Sequence, residues 1–479
     1  MSNSKGSTGL FISPLLNEWQ AAIFLELYCN KKESLSLLMC NAERGTCANN
    51  IFSSKVICTE CKSNTISFAE RFFPESELYK LEPNFKEESN ANTPFDSACE
   101  STVNSLMRPI KGHWKKSHFK AFKSLQSYSI SLSQNLENYA QENKINKLVT
   151  YNGRVVPSAV IKEFCKKRNI FFDTFEYGDD PSSYFYFLNH TTHDLLQGRI
   201  DVNNLVKKQY SSYEKKIAKD FYESKLKKQK DKKQFPIPKA YNSQKFKSLI
   251  SIFTSSDDEL SALGRDWESS FTKDMLQSIK RIVSNCQKNF FVLRVHPNQY
   301  GQGELLIDLY KSIEKYHSNL LIIYPKDNIN SYDLISKSDA VITFGSTITM
   351  EAVYMRKPTV LLGKQKFDET DSIYVPRTLE EASELINSND LKEKTINGAI
   401  AYSLYVQRKP KDMINVLIHN SKYYFDESRI IEKRSFVYLL IKMINYFRLP
   451  RRDIGFKSFL RLIMIKIGVY NLEKDTLEK

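Results

Sequence analysis

Short apolar runs alternate along this chain with longer stretches in which apolar positions recur every three or four residues. The runs are short enough to be buried strands, and they lie at 9–13, 35–40, 147–152, 169–176, 248–253, 290–295, 320–324, 340–344 and 359–362. The stretches between them have the period of amphipathic helices, most clearly at 15–28, 111–142, 155–168 and 271–285. Strands that alternate with helices are typical of parallel sheets covered on both faces, so the pattern predicts an α/β fold.

Residues 332–363 contain one complete unit of this alternation. The strand at 340–344 ends in Gly345, Ser346 and Thr347, a helix is predicted at 349–355, and the next strand follows. Ser and Thr are common N-caps, and helix N-termini favour anions. Glu351 lies one helical turn further on, on the face that looks back toward the turn. The unit suits a nucleotide diphosphate with its ribose; the alternative is an ordinary crossover with capping hydroxyls and a solvated Glu351.

Two other strands of the second half end in polar residues. Ser255 and Ser256 lie in a hydroxyl-rich turn after 248–253, and the strand at 290–295 presents Arg294 and then His296. Because the carboxyl ends of parallel strands meet at one edge of a sheet, these residues should converge. The predicted nucleotide site therefore comprises Ser255, Ser256, Arg294, His296, Gly345, Ser346, Thr347 and Glu351.

The first half shows a similar pair of strand ends. Asn152 and Arg154 follow one strand, and Glu176 closes the next. The crevice outside such ends is where open α/β sheets bind ligands. The alternative for Arg154 and Glu176 is a surface ion pair between loops.

Composition indicates two domains. With 479 residues, 41% of them apolar, the chain can bury two cores. The lysine-rich segment 206–239, closed by Pro236 and Pro238, is typical of a domain boundary. We favour a solvated helix and linker there over a surface for phosphates or a membrane. The predicted domains are 1–240, 241–410, and a region of closing helices and basic tail at 411–479.

The net charge of +15 favours an anionic partner: nucleic acid, an acidic membrane surface or a phosphate-bearing substrate. The lysines lack the aromatic interleaving of stacking platforms, which argues against nucleic acid. No apolar run is long enough to cross a bilayer, and the first residues lack a signal-peptide pattern, so a cytoplasmic location is expected. The apolar, basic stretches 435–449 and 457–469 are either amphipathic helices on an anionic membrane or helices that close the domains.

Four of the eight cysteines are clustered, at Cys40, Cys47, Cys58 and Cys61. Four thiols can satisfy a tetrahedral zinc ion, but the spacing of the first pair is unlike a zinc knuckle. We favour free, partly buried thiols, kept reduced in a cytoplasmic protein.

The segments SSDDE, LGRDW, LRVHPN and 331–363 resemble bacterial capsule and surface-polysaccharide biosynthesis glycosyltransferases of the GT-B fold. The resemblance covers about 10–400 and is most specific at 246–363; a more distant one is to UDP-GlcNAc 2-epimerases and glycerol-phosphate polymerases. It implies two Rossmann-like domains facing a central cleft, with the nucleotide-sugar on the second and the acceptor on the first. It further implies that Ser346, Thr347 and Glu351 hold the nucleotide, that His296 lies near the phosphates, and that Asn152, Arg154 and Glu176 have acceptor-side or catalytic roles.

Glycosyl transfer needs the departing nucleotide diphosphate to be stabilised and the acceptor hydroxyl to lose a proton. The chain has no Asp-x-Asp triplet, so we expect no cofactor and no catalytic metal. Glu176 is the first candidate base, with Glu18 weaker, and His296 is the candidate for the departing phosphates. The expected activity is sugar transfer to a growing, lipid-linked bacterial surface polysaccharide, capsule or O-antigen. The alternatives are a nucleotide-sugar epimerase or hydrolase and, less favoured, a nucleic-acid-binding protein.

Overall fold

The structure is a computed structural model that describes residues 7–14, 17–30, 35–83, 92–107, 109, 114–178, 180–256, 263–302, 304–388, 391–419, 422–426 and 428–430. The predicted tail helices at 435–449 and 457–469 lie outside these ranges. Within them, no helix has the length and apolar character needed to cross a membrane.

The first half forms one sheet with helices on both faces. Its strands are β1 (Ser7–Phe11), β2 (Leu35–Cys40), β3 (Leu78–Leu81), β4 (Ile145–Tyr151), β5 (Phe171–Tyr177) and β6 (Ser183–Phe187). Its helices are α1 (Glu18–Asn30), α2 (Lys55–Phe72), α3 (Asp96–Met107), α4 (Lys116–Asn143) and α5 (Ser158–Arg168). The order is β6-β5-β4-β1-β2-β3, with β6 antiparallel to β5 and the other pairs parallel.

Two helices, α6 (Leu195–Val206) and α7 (Ser212–Lys227), lead to a second sheet. Its strands are β7 (Ser248–Phe253), β8 (Asn289–Arg294), β9 (Leu320–Ile323), β10 (Ala340–Thr343) and β11 (Thr359–Leu361). Its helices are α8 (Ser270–Lys273), α9 (Met275–Asn285), α10 (Glu304–Tyr316), α11 (Ser331–Lys337), α12 (Ile348–Tyr354), α13 (Leu379–Asn387) and α14 (Asn397–Val406). All strands are parallel, in the order β11-β10-β7-β8-β9.

Both sheets have the strand order of a Rossmann unit, in which the first strand lies between the second and the fourth. Successive side chains of a strand pack into the cores on opposite faces of the sheet, because side chains alternate along a strand. Leu37 and Leu38 of β2 lie on opposite faces of the first sheet, and Leu249 and Ile250 of β7 do so in the second. The predicted α/β class with two Rossmann-like units in a GT-B arrangement is confirmed.

Residues 411–430, which fall in the region predicted to hold closing helices, form short strands instead. Two-residue β12 (Lys411–Asp412) pairs with β6, which returns the chain to the first sheet. Then β13 (Leu417–His419), β14 (Lys422–Phe425) and β15 (Ser428–Arg429) form a separate antiparallel sheet against α1. Segments this short carry too few residues to show a strand period in the sequence.

A buried carboxylate fixes this return. Glu26 of α1 is fully buried and accepts hydrogen bonds from the backbone N–H groups of Ile414 and Asn415, over 3.1 and 2.8 Å. Glu26 also accepts hydrogen bonds from the side-chain amides of Asn415 and Asn30, over 3.1 and 2.9 Å. The carboxylate therefore holds the returning segment against the first unit.

The lysine-rich segment is more than a solvated linker. Helix α7 begins with a capping box between Ser211 and Glu214. Tyr222 on its buried face stacks on Tyr354 of α12, and its hydroxyl donates to the carbonyl of Ala399, over 2.8 Å. One face of α7 thus packs on the second unit, beside the predicted nucleotide site.

Candidate functional site

The carboxyl ends of β7, β8 and β10 lie side by side and are joined by hydrogen bonds. The N–H of His296, beyond β8, donates to Thr254 Oγ1 at the end of β7, over 2.8 Å. On the other side of β7, Ser255 Oγ donates to the carbonyl of Phe344, beyond β10, over 2.5 Å. The structure therefore brings these three strand ends together at the switch point where open α/β sheets bind ligands.

The turn after β10 is built from backbone contacts. Gly345 has a φ of +73°, in the left-handed region that favours glycine. Thr347 occupies the N-cap position of α12, but its side chain makes no capping hydrogen bond, so the expected hydroxyl cap is wrong for Thr347. The carbonyl of Ser346 instead accepts hydrogen bonds from the N–H and the hydroxyl of Thr349.

Glu351 is held by protein partners. Its side chain is buried, Oε1 accepts from Lys225 Nζ of α7 over 2.6 Å, and Oε2 accepts from the Tyr332 hydroxyl over 2.8 Å. Burial and the Glu351 charge raise the pKa of Tyr332, so that hydroxyl remains a donor. The sequence pattern predicted that Glu351 lies at the crevice, but it did not predict these partners. Lys225 is far away along the chain, so no local pattern connects it to Glu351.

Arg294 and Ser256 lie beneath the surface of the crevice. Arg294 is 4% exposed, and its Nη1 donates to the carbonyl of Tyr324 over 2.8 Å. Burial lowers the pKa of this guanidinium. Ser256 is fully buried, whereas His296 is partly exposed and its Nδ1 accepts from the N–H of Asn298 over 3.2 Å. Of this group, His296 has the side chain that a ligand can reach.

The strand ends of the first unit also meet. Oε1 of Glu176 accepts from the Tyr151 hydroxyl and the Tyr177 N–H, over 2.9 and 3.0 Å, and Oε2 accepts from Asn152 Nδ2. Asn152 Oδ1 in turn accepts from the N–H of Arg154 over 3.2 Å. Burial and the charge of Glu176 raise the pKa of Tyr151, which keeps its hydroxyl a donor. Glu176, Asn152 and the Arg154 loop thus form one network.

Glu18 belongs to a different environment. Its Oε2 accepts from the N–H of Tyr423 in β14, over 3.4 Å. The structure therefore places Glu18 beside the C-terminal strands, which the sequence did not indicate.

A pocket of about 530 Å³ opens beside the turn after β10. Its lining includes four basic side chains that the sequence patterns did not single out and two carboxylates, one of which pairs with Arg199: Arg199, Lys273, Lys364, Arg377, Glu268 and Asp368. Gly363, two residues beyond β11, lies in its wall and packs on Gly345. The volume is in the range of small-molecule sites. Lys364 directly follows Gly363 in the sequence, but no local pattern connects it to the other three basic residues.

The loop between β6 and α6 joins the two units. Trp267 Nε1 of the second unit donates to the carbonyl of His193, over 3.0 Å, and Lys366 Nζ donates to the carbonyl of Thr192, over 2.6 Å. Desolvation, together with the charges of Arg154, Lys366 and Lys162, lowers the pKa of His193 to about 3. No sequence motif marked His193.

The four clustered cysteines line one small cavity with Tyr128. Cys58 Sγ accepts from the N–H of Gly45 and from Asn50 Nδ2, over 3.1 and 3.2 Å, and Cys40 Sγ accepts from the Tyr128 hydroxyl over 3.1 Å. Burial raises the pKa of Cys40, so this thiol stays protonated. None of the eight cysteines forms a disulfide, and no cluster of metal-ligating side chains is found in the described part of the chain.

Gly363→Ala should disturb the turn after β10. A Cβ at this position would lie 2.8 Å from the backbone nitrogen of Gly345, and neither backbone can yield without moving the turn. We expect a loss of about 1–3 kcal/mol in the free energy of unfolding, measured by urea denaturation. Wild-type stability in this variant would mean that the contact between the two glycines does not hold the turn.

Part of the chain is similar to a known protein family. Residues 183–371 match the family model described as capsule polysaccharide biosynthesis protein. None of the curated proteins matches the chain.

Solved structures with a related fold include two transferases of Thermosulfurimonas dismutans KpsC. The beta Kdo 2,4 transferase has 13% identity and a TM-score of 0.35, and the match covers 56% of this chain and 85% of that one. The beta Kdo 2,7 transferase has 12% identity and a TM-score of 0.37, covering 73% and 92%. The UDP-GlcNAc 2-epimerase of Neisseria meningitidis, bound to UDP-GlcNAc, has 13% identity and a TM-score of 0.28, covering 84% and 98%.

Identities and TM-scores this low say nothing about the substrate of this chain. The family match is independent of them, and it includes the turn after β10, His296 and the pocket beside Gly363. It confirms the resemblance predicted from the sequence: residues 183–371 are similar to capsule polysaccharide biosynthesis proteins.

Proposed function

We propose that this glycosyltransferase moves a sugar from a nucleotide-sugar, held by the second unit, to a growing, lipid-linked bacterial surface polysaccharide, held by the first. The observation that carries the proposal is the meeting of β7, β8 and β10 at a switch point that adjoins a basic pocket of about 530 Å³. A basic pocket beside strand ends suits a ligand that has both a ring system and phosphates.

On the donor side, Glu351 would hold the ribose and the turn at 345–347 would hold the phosphates. A carboxylate offers about four acceptor positions, and Lys225 and Tyr332 use two of them, so ribose hydroxyls can still be bound. His296 would donate to the departing phosphate. Ser255 and Arg294 would act by positioning these strand ends, because their side chains donate to the carbonyls of Phe344 and Tyr324. Ser256 would do the same, because it is fully buried.

On the acceptor side, Glu176 would accept the proton of the attacking hydroxyl. The hydroxyl oxygen forms the new glycosidic bond, the bond from the sugar to the nucleotide phosphate breaks, and the phosphate leaves with the electron pair. Asn152 and Tyr151 would hold the carboxylate in place through the hydrogen bonds described above. No step in this scheme requires a metal ion or cofactor.

A lipid-linked acceptor would place the enzyme at the cytoplasmic face of the membrane. The net charge of +15 supports attraction to an anionic leaflet. The stretches 435–449 and 457–469 are the segments proposed to make this contact. Binding to anionic vesicles, compared with neutral ones, tests this part of the proposal.

A panel of UDP, CDP, GDP and CMP tests donor binding. We expect one nucleotide to raise the melting temperature by mass action, and Glu351→Gln to abolish that rise. Glu380→Gln, in an exposed ion pair with Arg281, is the matched control and should respond as the wild type does. An undiminished rise in Glu351→Gln would remove this residue from the nucleotide site.

Two assays with the same purified protein distinguish the alternative functions. Conversion of UDP-N-acetylhexosamine without any acceptor would indicate an epimerase or hydrolase. Salt-sensitive binding of generic DNA or RNA, without a response to any nucleotide, would favour a nucleic-acid-binding protein.

A further inference from the structure

The start of α4 holds three aromatic side chains together at the surface. Trp114, two residues before the helix begins, has its ring centroid 5.3 Å from that of Phe119 and 5.7 Å from that of Phe122. Phe119 is 55% exposed, and the other two side chains are partly exposed. Single exposed apolar residues are normal, whereas large apolar side chains that touch one another at a surface indicate an interaction site. We call Trp114, Phe119 and Phe122 the aromatic cluster.

A buried histidine supports this cluster. The N–H of Lys115 donates to Nδ1 of His118 over 2.8 Å, and this hydrogen bond closes the first turn of the helix. The His118 side chain is buried, and its ring contacts Trp114, with 6.2 Å between the ring centroids. The aromatic cluster is therefore formed by contacts within the chain, before any partner binds.

Lysines surround the exposed ring of the cluster. Lys116 and Lys120 are exposed. Lys116 precedes Phe119 by three residues and Lys123 follows it by four, so both lie on the same face of the helix as the ring. The first acidic residue of α4 is Glu137, about five turns further on. Apolar rings bordered by lysines suit an anionic lipid surface, which offers both a headgroup layer for the rings and negative charge for the lysines.

The direction of α4 places the cluster at the carboxyl edge of the first sheet. Tyr128 donates to Cys40 Sγ at the end of β2, whereas the carbonyl of Asn143 accepts from Ser7 Oγ at the start of β1. The helix therefore runs from the carboxyl edge to the amino edge. Phe119 is nine residues before Tyr128, which corresponds to about 13 Å of helix. The cluster thus extends beyond the edge at which the β4 and β5 ends form their network.

We propose that the aromatic cluster, with Lys116, Lys120 and Lys123, docks the first unit on an anionic membrane surface. In the docked state the rings lie among the lipid headgroups and the lysines contact the lipid phosphates. This surface is separate from the stretches 435–449 and 457–469. It brings the carboxyl edge of the first sheet toward the membrane, where a lipid-linked acceptor would extend. That consequence rests on the proposed function, whereas the docking itself can be measured without turnover.

Tryptophan fluorescence reports directly on the cluster. The chain has three tryptophans, of which Trp19 and Trp267 are buried. Bromine atoms on lipid acyl chains quench a tryptophan only at close range. We expect vesicles of phosphatidylglycerol and brominated phosphatidylcholine to quench Trp114 in the full-length protein, and Trp114→Phe to remove this quenching. The stretches 435–449 and 457–469 contain no tryptophan, so their binding cannot produce the signal.

Lysine variants test the charge complementarity. Lys116→Gln combined with Lys120→Gln should weaken binding to the anionic vesicles about tenfold or more, measured by co-sedimentation. Vesicles of brominated phosphatidylcholine alone should give little quenching at the same lipid concentration. Lys311→Gln combined with Lys315→Gln removes the same charge from exposed positions of α10 and is the matched control. This control should bind the anionic vesicles as the wild type does.

A second pair of variants tests the exposed ring. Phe119→Ser should reduce the quenching of Trp114, because the cluster loses its most exposed apolar side chain. Tyr316→Ser is the matched control, since Tyr316 is 77% exposed at the end of α10. Both positions are exposed, so both variants should keep the wild-type melting temperature.

Three results would overturn the docking surface. The first is vesicle binding without quenching of Trp114, which would leave the stretches 435–449 and 457–469 as the membrane contact. The second is an equal loss of binding in the α10 lysine control. The third is a change of Trp114 emission with heparin, a soluble anionic polysaccharide, but not with vesicles. The nucleotide panel needs no membrane, so failure of the docking surface and failure of donor binding are observed separately.

Discussion

Replacing Glu176 by Gln should reduce kcat by a factor of about 10²–10⁴, the usual contribution of a general base. The carboxylate accepts three hydrogen bonds at the strand ends, and an amide of the same shape cannot take up the acceptor proton. The KM for the nucleotide-sugar should change little, because the proposed donor site lies in the other unit. Steady-state kinetics with saturating acceptor measures both constants.

Two measurements distinguish catalysis from loss of structure in this variant. The melting temperature of the variant should stay close to that of the wild type while its kcat falls. Glu163→Gln, on the surface of α5, is the matched control and should keep wild-type kcat. A variant that retains normal kcat would exclude Glu176 as the base.

Replacing Glu26 by Ala should cost about 3–5 kcal/mol in the free energy of unfolding of the first unit. The carboxylate is fully buried, and four donors in partly buried hydrogen bonds lose it as their acceptor, which is unfavourable. The neighbouring Trp19 of α1 is buried and stacks on Tyr177, so its fluorescence reports on this unit during urea unfolding.

Glu26→Gln is the informative comparison. The amide keeps the shape and one acceptor oxygen, so the loss of stability should be clearly smaller than with Ala. If the alanine variant were as stable as the wild type, the contact between α1 and the 414–415 segment would contribute nothing to the fold.

The parts of this fold that the sequence predicted are those with a local pattern. The strand at 248–253 was located to the residue, and 340–344 and 359–362 to within one, because each is an apolar run bounded by polar residues. The meeting of Ser255 with the turn after β10 followed from the parallel topology. The antiparallel β6 and the strands after residue 410 were missed, since a few residues of mixed character carry no clear period.

The surroundings of individual side chains could not be predicted in the same way. Lys225 reaches Glu351 from a helix 126 positions earlier, and no local pattern encodes that distance. Arg294 follows an apolar run like a surface residue, yet it turns inward to the carbonyl of Tyr324. His193 lies in a loop without a motif, and its electrostatic surroundings depend on a lysine from the other unit. The parallel topology could be predicted, whereas side-chain contacts between residues far apart in the sequence could not.

The return of the chain through β12 has a mechanical consequence. The polypeptide passes from the first unit to the second through α6 and α7, and it returns to the first unit before residue 411. Two stretches of chain therefore connect the units. A single connection would allow the two units to rotate relative to each other in any direction. Two connections restrict them to a hinge motion about the line that joins the connections. The side of the two units near these connections should therefore keep its register when they move.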